Sequence, residues 1–202
     1  EAESHDHDAG GKIYLLPMAF PEGSPMHASY GAGHATVAGA CVTVLKAFFD
    51  LEGRTIKDTF GIGAKVDSQG GLAKDPAAEA LTLSGELDKL AANISIGRNM
   101  AGVHYYSDYF DSLRMGERVA VGVIMDQLRA YTEAVCMSFT SFDGERITVS
   151  TQGRGGAMLK VDGSTPAEWW HRHYHNSLPT PLSGASGPLV ASSNWDTPSK
   201  AG

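Results

Sequence analysis

Apolar residues recur along this chain in two rhythms. Over residues 34–50, Val37, Ala40, Cys41, Val44, Leu45 and Phe48 fall at three- and four-residue spacings, the repeat of one helix face. A second helix is predicted over residues 82–100, with Leu83, Leu87, Leu90, Ala91 and Ile94 as its stripe. A third, over residues 113–134, is expected to bury Met115, Val119, Val123, Ile124, Leu128 and Tyr131. The rhythm then shortens. Residues 138–142 and 145–149 are alternating β-formers around Asp143-Gly144, which predicts a hairpin with a tight turn. Thr165-Pro166-Ala167-Glu168 offers a cap, a proline for the first helical position and a capping-box glutamate, so a short helix is predicted to start there.

The intervening stretches carry other signals. Residues 53–81 are rich in Gly, Asp and Lys and read as a surface loop with short helical pieces. Residues 14–21 are apolar, but Pro17, Pro21 and Pro25 forbid a regular helix, so extended chain against a core is expected. The division that follows is a polar end at residues 1–12, a helical domain at 13–178 and a Pro-, Ser- and Gly-rich tail at 179–202. The expected fold is mainly α-helical with a small β-hairpin.

Composition narrows the function. With 202 residues, 42% hydrophobic and 19% charged, the chain suits one globular domain with its own core. The net charge of -7 argues against nucleic-acid binding, which demands clustered cations. It leaves room for a small anion, because local charge decides that. No run of 18 apolar residues predicts a membrane span. The first residues, from Glu1 to Asp8, do not form a signal peptide and lack an initiator Met, so a piece of a longer or processed chain is expected. Cys41 and Cys136 make no disulfide framework and are expected as buried thiols.

Two clusters could carry chemistry. Tyr30-Gly31-Ala32-Gly33-His34 precedes the first helix. Glycines there let backbone approach a ligand, and a helix start presents amides and a positive dipole end to an anion. The same pattern also suits a glycine-loosened turn. In the second cluster, Arg98 and His104 are six residues apart, about 240° apart on an unbroken helix. They converge only if the helix ends between them, for which Gly102 is placed. The planar fork of Arg98 matches a tetrahedral oxyanion, and Asp108 could orient the His104 ring. The alternative is a helix end with incidental polar residues. His171, His173 and His175 read as a surface cluster on an exposed strand, His5 and His7 as part of a polar end, and Trp169-Trp170 as an apolar anchor.

Taken together, Leu15-Leu-Pro-Met-Ala-Phe-Pro-Glu-Gly-Ser-Pro25, Gly31-Ala-Gly-His-Ala-Thr-Val-Ala-Gly-Ala-Cys41 and Ile96-Gly-Arg98 through Gly102-Val-His104 to Asp108 closely resemble vanadium-dependent bromoperoxidases of the red-algal and cyanobacterial type. The resemblance spans most of residues 13–150. It implies a helical-bundle domain of the vanadium haloperoxidase and acid phosphatase type, holding vanadate, with phosphate able to take the same place. It implies that His104 bonds vanadium, that His34 is the acid–base group and that Arg98 neutralises the vanadate oxygens. Gly33 would donate its amide, and His27 would stand near the halide. Ala32 replaces a serine common in the family, so one donor is absent. The family's upstream lysine and Arg-Pro arginine do not occur here, so a segment bearing them is an implied partner. The implied substrates are hydrogen peroxide, a halide (bromide foremost) and an organic acceptor. A homo-oligomer and an extracellular, cell-surface or periplasmic setting are implied as well. The related acid phosphatases, with His104 as nucleophile, and a non-catalytic fragment that needs a partner segment are the alternatives.

Overall fold

The computed structural model describes residues 30–172. Three long helices carry it. They are α1 (Gly33–Phe49), α3 (Leu83–Met100) and α4 (Tyr106–Arg129). Between α1 and α3 lie the short α2 (Ile56–Phe60), a two-stranded antiparallel ribbon of β1 (Ala64–Val66) and β2 (Leu72–Lys74), and a 3₁₀ turn at Pro76–Ala80. After α4 come β3 (Val135–Thr140), β4 (Arg146–Thr151) and β5 (Ala157–Val161), which form an antiparallel sheet in sequence order, and then α5 (Pro166–His171). The mainly α expectation holds, and the hairpin around Asp143-Gly144 forms with Thr140 opposite Arg146. A third strand, β5, and the β1–β2 ribbon extend what the alternation predicted. Among the described residues no helix is long and apolar enough to cross a membrane.

α1 packs most extensively on α4, and their backbones come very close. A Cβ on Gly116 would lie 2.0 Å from the Thr36 carbonyl oxygen, and one on Gly39 would lie 2.3 Å from that of Leu113. Small residues line this crossing, so α1 buries Ala35, Ala38, Gly39, Val42, Thr43, Lys46 and Ala47. That corrects the expected stripe: Val37, Cys41, Val44, Leu45 and Phe48 are exposed, and Ala40 is half-buried. The helix is apolar on most sides, and the close approach selects the side with small side chains rather than the side with large ones. The same correction applies to α4. Ile124 and Leu128 are buried as expected, but Met115, Val119 and Val123 are exposed, as is Tyr131 beyond its end. On α3, Ala91 is buried and Leu90 and Ile94 are exposed. Cys41 and Cys136 are free and exposed, not buried. One lies on the outer face of α1 and the other on β3.

The core has two apolar clusters. One joins α1, α3 and the first turns of α4 through Ala35, Ala38, Val42, Ala91, Tyr109 and Leu113. The other joins α4 to the sheet and α5 through Val121, Leu128, Ile147, Val149 and Trp169. Trp169 is fully buried, as its reading as an anchor requires. A charged layer lies near both. The Lys46 ammonium, 1% exposed, donates to Asp88 and to the Thr140 carbonyl, each at 2.8 Å. It also sits 4.7 Å from the Phe142 ring centroid. Glu117 accepts the Phe142 amide at 2.9 Å, and burial raises its carboxyl to about 7. Arg114 donates to Asp143 through Nε at 2.9 Å. Most of these polar atoms are paired, as buried ones must be; Asp143 Oδ2 instead faces the Arg172 guanidinium at 3.9 Å.

Caps follow the sequence. Thr55, Thr82 and Thr165 each accept a first-turn amide, and Thr165 with Glu168 completes the expected capping box. His171 ends α5, so residue 171 lies on a helix rather than on the expected strand. His5, His7, His27, His173, His175 and the readings of residues 1–29 and 173–202 lie outside the described residues. Among the described residues no cluster of metal-ligating side chains occurs.

Candidate active site

The α3–α4 corner is built by the backbone. Gly102 takes φ +77°, in the left-handed region that favours glycine. Its amide donates to the Asn99 carbonyl at 2.9 Å, and the Val103 amide donates to that of Arg98 at 3.2 Å. This pair of bonds is the Schellman termination, and buried Val103 seals it. The expected break between Arg98 and His104 is therefore present. Arg98 is half-buried in the last turn of α3, and His104 stands just before α4.

The Nδ1 of His104 lies 3.3 Å from a carboxylate oxygen of Asp108. The two side chains are 6% and 4% exposed. The same oxygen accepts the Tyr105 amide at 3.0 Å, so Asp108 at once stops the start of α4 from fraying and holds the ring. A carboxylate at Nδ1 favours a proton there and leaves Nε2 with its lone pair, the nitrogen that can bond an electrophile.

The start of α1 is fastened to the same helix. The Ala32 amide donates to Ser112 Oγ at 2.9 Å, with both residues buried. The Tyr30 hydroxyl donates to Asp111, and Gly31, at φ +89°, makes the turn between them. The first helical bond runs from the Thr36 amide to the Ala32 carbonyl at 2.9 Å. The amides of Gly33, His34 and Ala35 precede it and have no intrahelical acceptor. Unlike α2, α3 and α5, α1 has no side-chain cap, and its first turn holds no acidic residue. A Cβ on Gly33 would meet nothing within 4 Å among the described residues. His34 is exposed, whereas Ala32 is buried.

These observations fit a tetrahedral oxyanion. The donor types it takes are those of an α1 start without a side-chain cap, the Nε2 of His104 and the guanidinium at the end of α3. Tyr30 falls in the first cluster without a partner assigned to it, whereas Asp111 and Ser112 are not singled out by the sequence pattern. Their signal was present in Tyr106-Ser-Asp-Tyr-Phe-Asp-Ser112, where an acidic residue falls in the first turn of a helix. Starting that helix at residue 113 left them in a loop.

Comparison with known proteins covers most of the chain. The profile of the VCPO second helical-bundle domain matches residues 13–133. The chain is 54% identical over 136 residues to a vanadium-dependent bromoperoxidase of Corallina pilulifera, covering 67% of this chain and 22% of that protein. It is 52% identical over 136 residues to one of Corallina officinalis, with the same shares. Against one of Ascophyllum nodosum it is 39% identical over 150 residues, 74% of this chain and 26% of that protein. The fold is similar to the homohexameric second vanadate-dependent bromoperoxidase of Ascophyllum nodosum, with a TM-score of 0.55 and 29% identity over 73% of this chain and 30% of that one. The chain thus spans about a quarter of the length of these relatives. With that match over residues 13–133 and the bundle described above, the chain belongs to the family of the VCPO second helical-bundle domain.

Proposed function

We propose that this chain carries the histidine-bearing part of a vanadate-dependent haloperoxidase, which uses hydrogen peroxide to oxidise bromide and so halogenate an organic acceptor. The observation that carries the reading is the buried His104–Asp108 pair, which frees Nε2 for a metal centre. When bound, vanadate would supply Lewis acidity without a change of its oxidation state. His104 would hold it through Nε2, while Asp108 keeps the ring oriented. Arg98 would offer its planar fork to two oxygens, and the Gly33 amide a hydrogen bond, at a helix end whose dipole favours an anion.

His34 would serve as the acid–base group. Its place on the open first turn of α1 supports this, since an exposed imidazole can exchange its proton with water. Such help contributes roughly 10²–10⁴ in rate. His27 belongs to the proposal as the residue near the halide. The lysine and the second arginine that the family resemblance implies would come from elsewhere in the longer protein. The exposed apolar residues of α1 and α4 suit contacts within an assembled protein, and the similar solved structure is a homohexamer.

The test is His104→Ala in the full-length protein. The expected result is loss of vanadate on dialysis and loss of bromination of a phenolic dye. Stoichiometric vanadium in the variant would overturn the assignment. Hydrolysis of phosphate esters without bromination would favour the phosphatase alternative.

A further inference from the structure

Three side chains on the first two turns of α4 each fasten something outside that helix. Asp108 lies against His104 Nδ1, Asp111 accepts a hydrogen bond from the Tyr30 hydroxyl, and Ser112 Oγ accepts one from the Ala32 amide at 2.9 Å. Positions three and four apart share one helix face. One face of a stiff rod therefore holds the ligand ring and, about 6 Å further along, the peptide immediately before Gly33.

We infer that Ser112 and Asp111 are positioning residues, which set the distance between His104 and the first-turn amides of Gly33 and His34. The inference rests on the vanadate reading above. The Ala32 amide is buried and turned towards Ser112, so the amides available to an anion begin at Gly33. Without the serine hydroxyl, that amide becomes a buried donor with no acceptor, which is costly. The peptide then rotates to find one, and Gly33 and His34 move with it. Tyr30 fixes the other side of the Gly31 turn. Its ring is exposed, so loss of its hydroxyl leaves little packing to disturb. A displacement of about 1 Å at such a site is enough to cost about 10²-fold in rate.

The experiment measures vanadate affinity by calorimetry, together with thermal stability, in the full-length protein. Ser112→Ala is expected to weaken vanadate binding about tenfold, the equivalent of one ordinary hydrogen bond. Ser112→Thr, which keeps the acceptor, is expected to recover most of that loss. Tyr30→Phe is expected to weaken binding about threefold and to lower the melting temperature slightly, since it takes a donor from the buried Asp111 carboxylate while the exposed ring stays in place. Ile147→Val, in the distant sheet core, is expected to lower the melting temperature and leave affinity intact. Wild-type affinity in Ser112→Ala or in Tyr30→Phe overturns the role of Ser112 or of Asp111 respectively. Equal loss of affinity in Ile147→Val overturns both, because stability alone would then explain the effect. If His104→Ala binds like the unmodified protein, the vanadate reading falls instead.

Discussion

The closeness of α1 and α4 makes a sharp prediction at Gly116. A methyl group there would begin 2.0 Å from the Thr36 carbonyl oxygen and 2.8 Å from the Ala40 nitrogen. Ordinary contact begins near 3.4 Å, so the helices must part by more than 1 Å, and the obstacle is backbone that cannot rotate aside. Overpacking of this kind costs about 1–3 kcal/mol, and the rigid obstacle puts Gly116→Ala at the upper end, about 3 kcal/mol. For a chain of this size that is a fall in melting temperature of about 6–12 °C. Gly122 is the control. It lies on the same helix, where an added Cβ would touch the Trp170 ring at an ordinary 3.6 Å. Gly122→Ala should therefore gain helix propensity, up to about 1 kcal/mol, and melt about 2–4 °C higher. Calorimetry of both variants reads the difference directly. Since the start of α1 is bound to Asp111 and Ser112, Gly116→Ala should also weaken vanadate binding. A melting temperature within 1–2 °C of the unmodified protein, or above that of Gly122→Ala, would refute the crossing geometry.

Arg98→Lys should weaken vanadate binding although the charge is kept, because an ammonium cannot form two parallel hydrogen bonds; equal affinity by calorimetry would place Arg98 outside the site. Asp108→Asn should keep the cap on α4 and lose the bias towards Nδ1–H, so vanadate retention falls more than the melting temperature does. The Glu117 carboxyl is raised by burial to about 7 from an ordinary 4.5. Its contribution to stability is full below pH 4.5 and disappears as pH rises through about 7. Glu117→Gln should flatten stability across that window, as denaturant titrations at several pH values would show, and an unchanged slope would refute it. Lys46→Met should cost about 3–5 kcal/mol, since it leaves Asp88 and Glu117 with no ammonium beside them; a loss under about 1 kcal/mol would mean that water replaces the ammonium.

Local chemistry fixed much of this protein. The periodicity of residues 34–50 and 82–100 located two helices, because i, i+3, i+4 spacing is a property of the chain itself. Thr165, Pro166 and Glu168 defined a helix start, Asp143-Gly144 a hairpin, and Gly102 the break that separates Arg98 from His104, each through bonds among neighbours in sequence. The Gly-Ala-Gly-His and Arg-x5-His patterns were legible for the same reason. What periodicity could not supply was which face of α1 turns inward. That face was chosen by the 2.0 Å and 2.3 Å constraints at Gly116 and Gly39, a property of two helices together, and it left the larger apolar residues outside. The partners of Lys46, 42 and 94 residues away in sequence, and the clamp of Ser112 on Ala32, 80 residues away, have no local signature. Only packing brings such groups together, because a buried amide or ammonium takes whatever acceptor the tertiary fold presents to it.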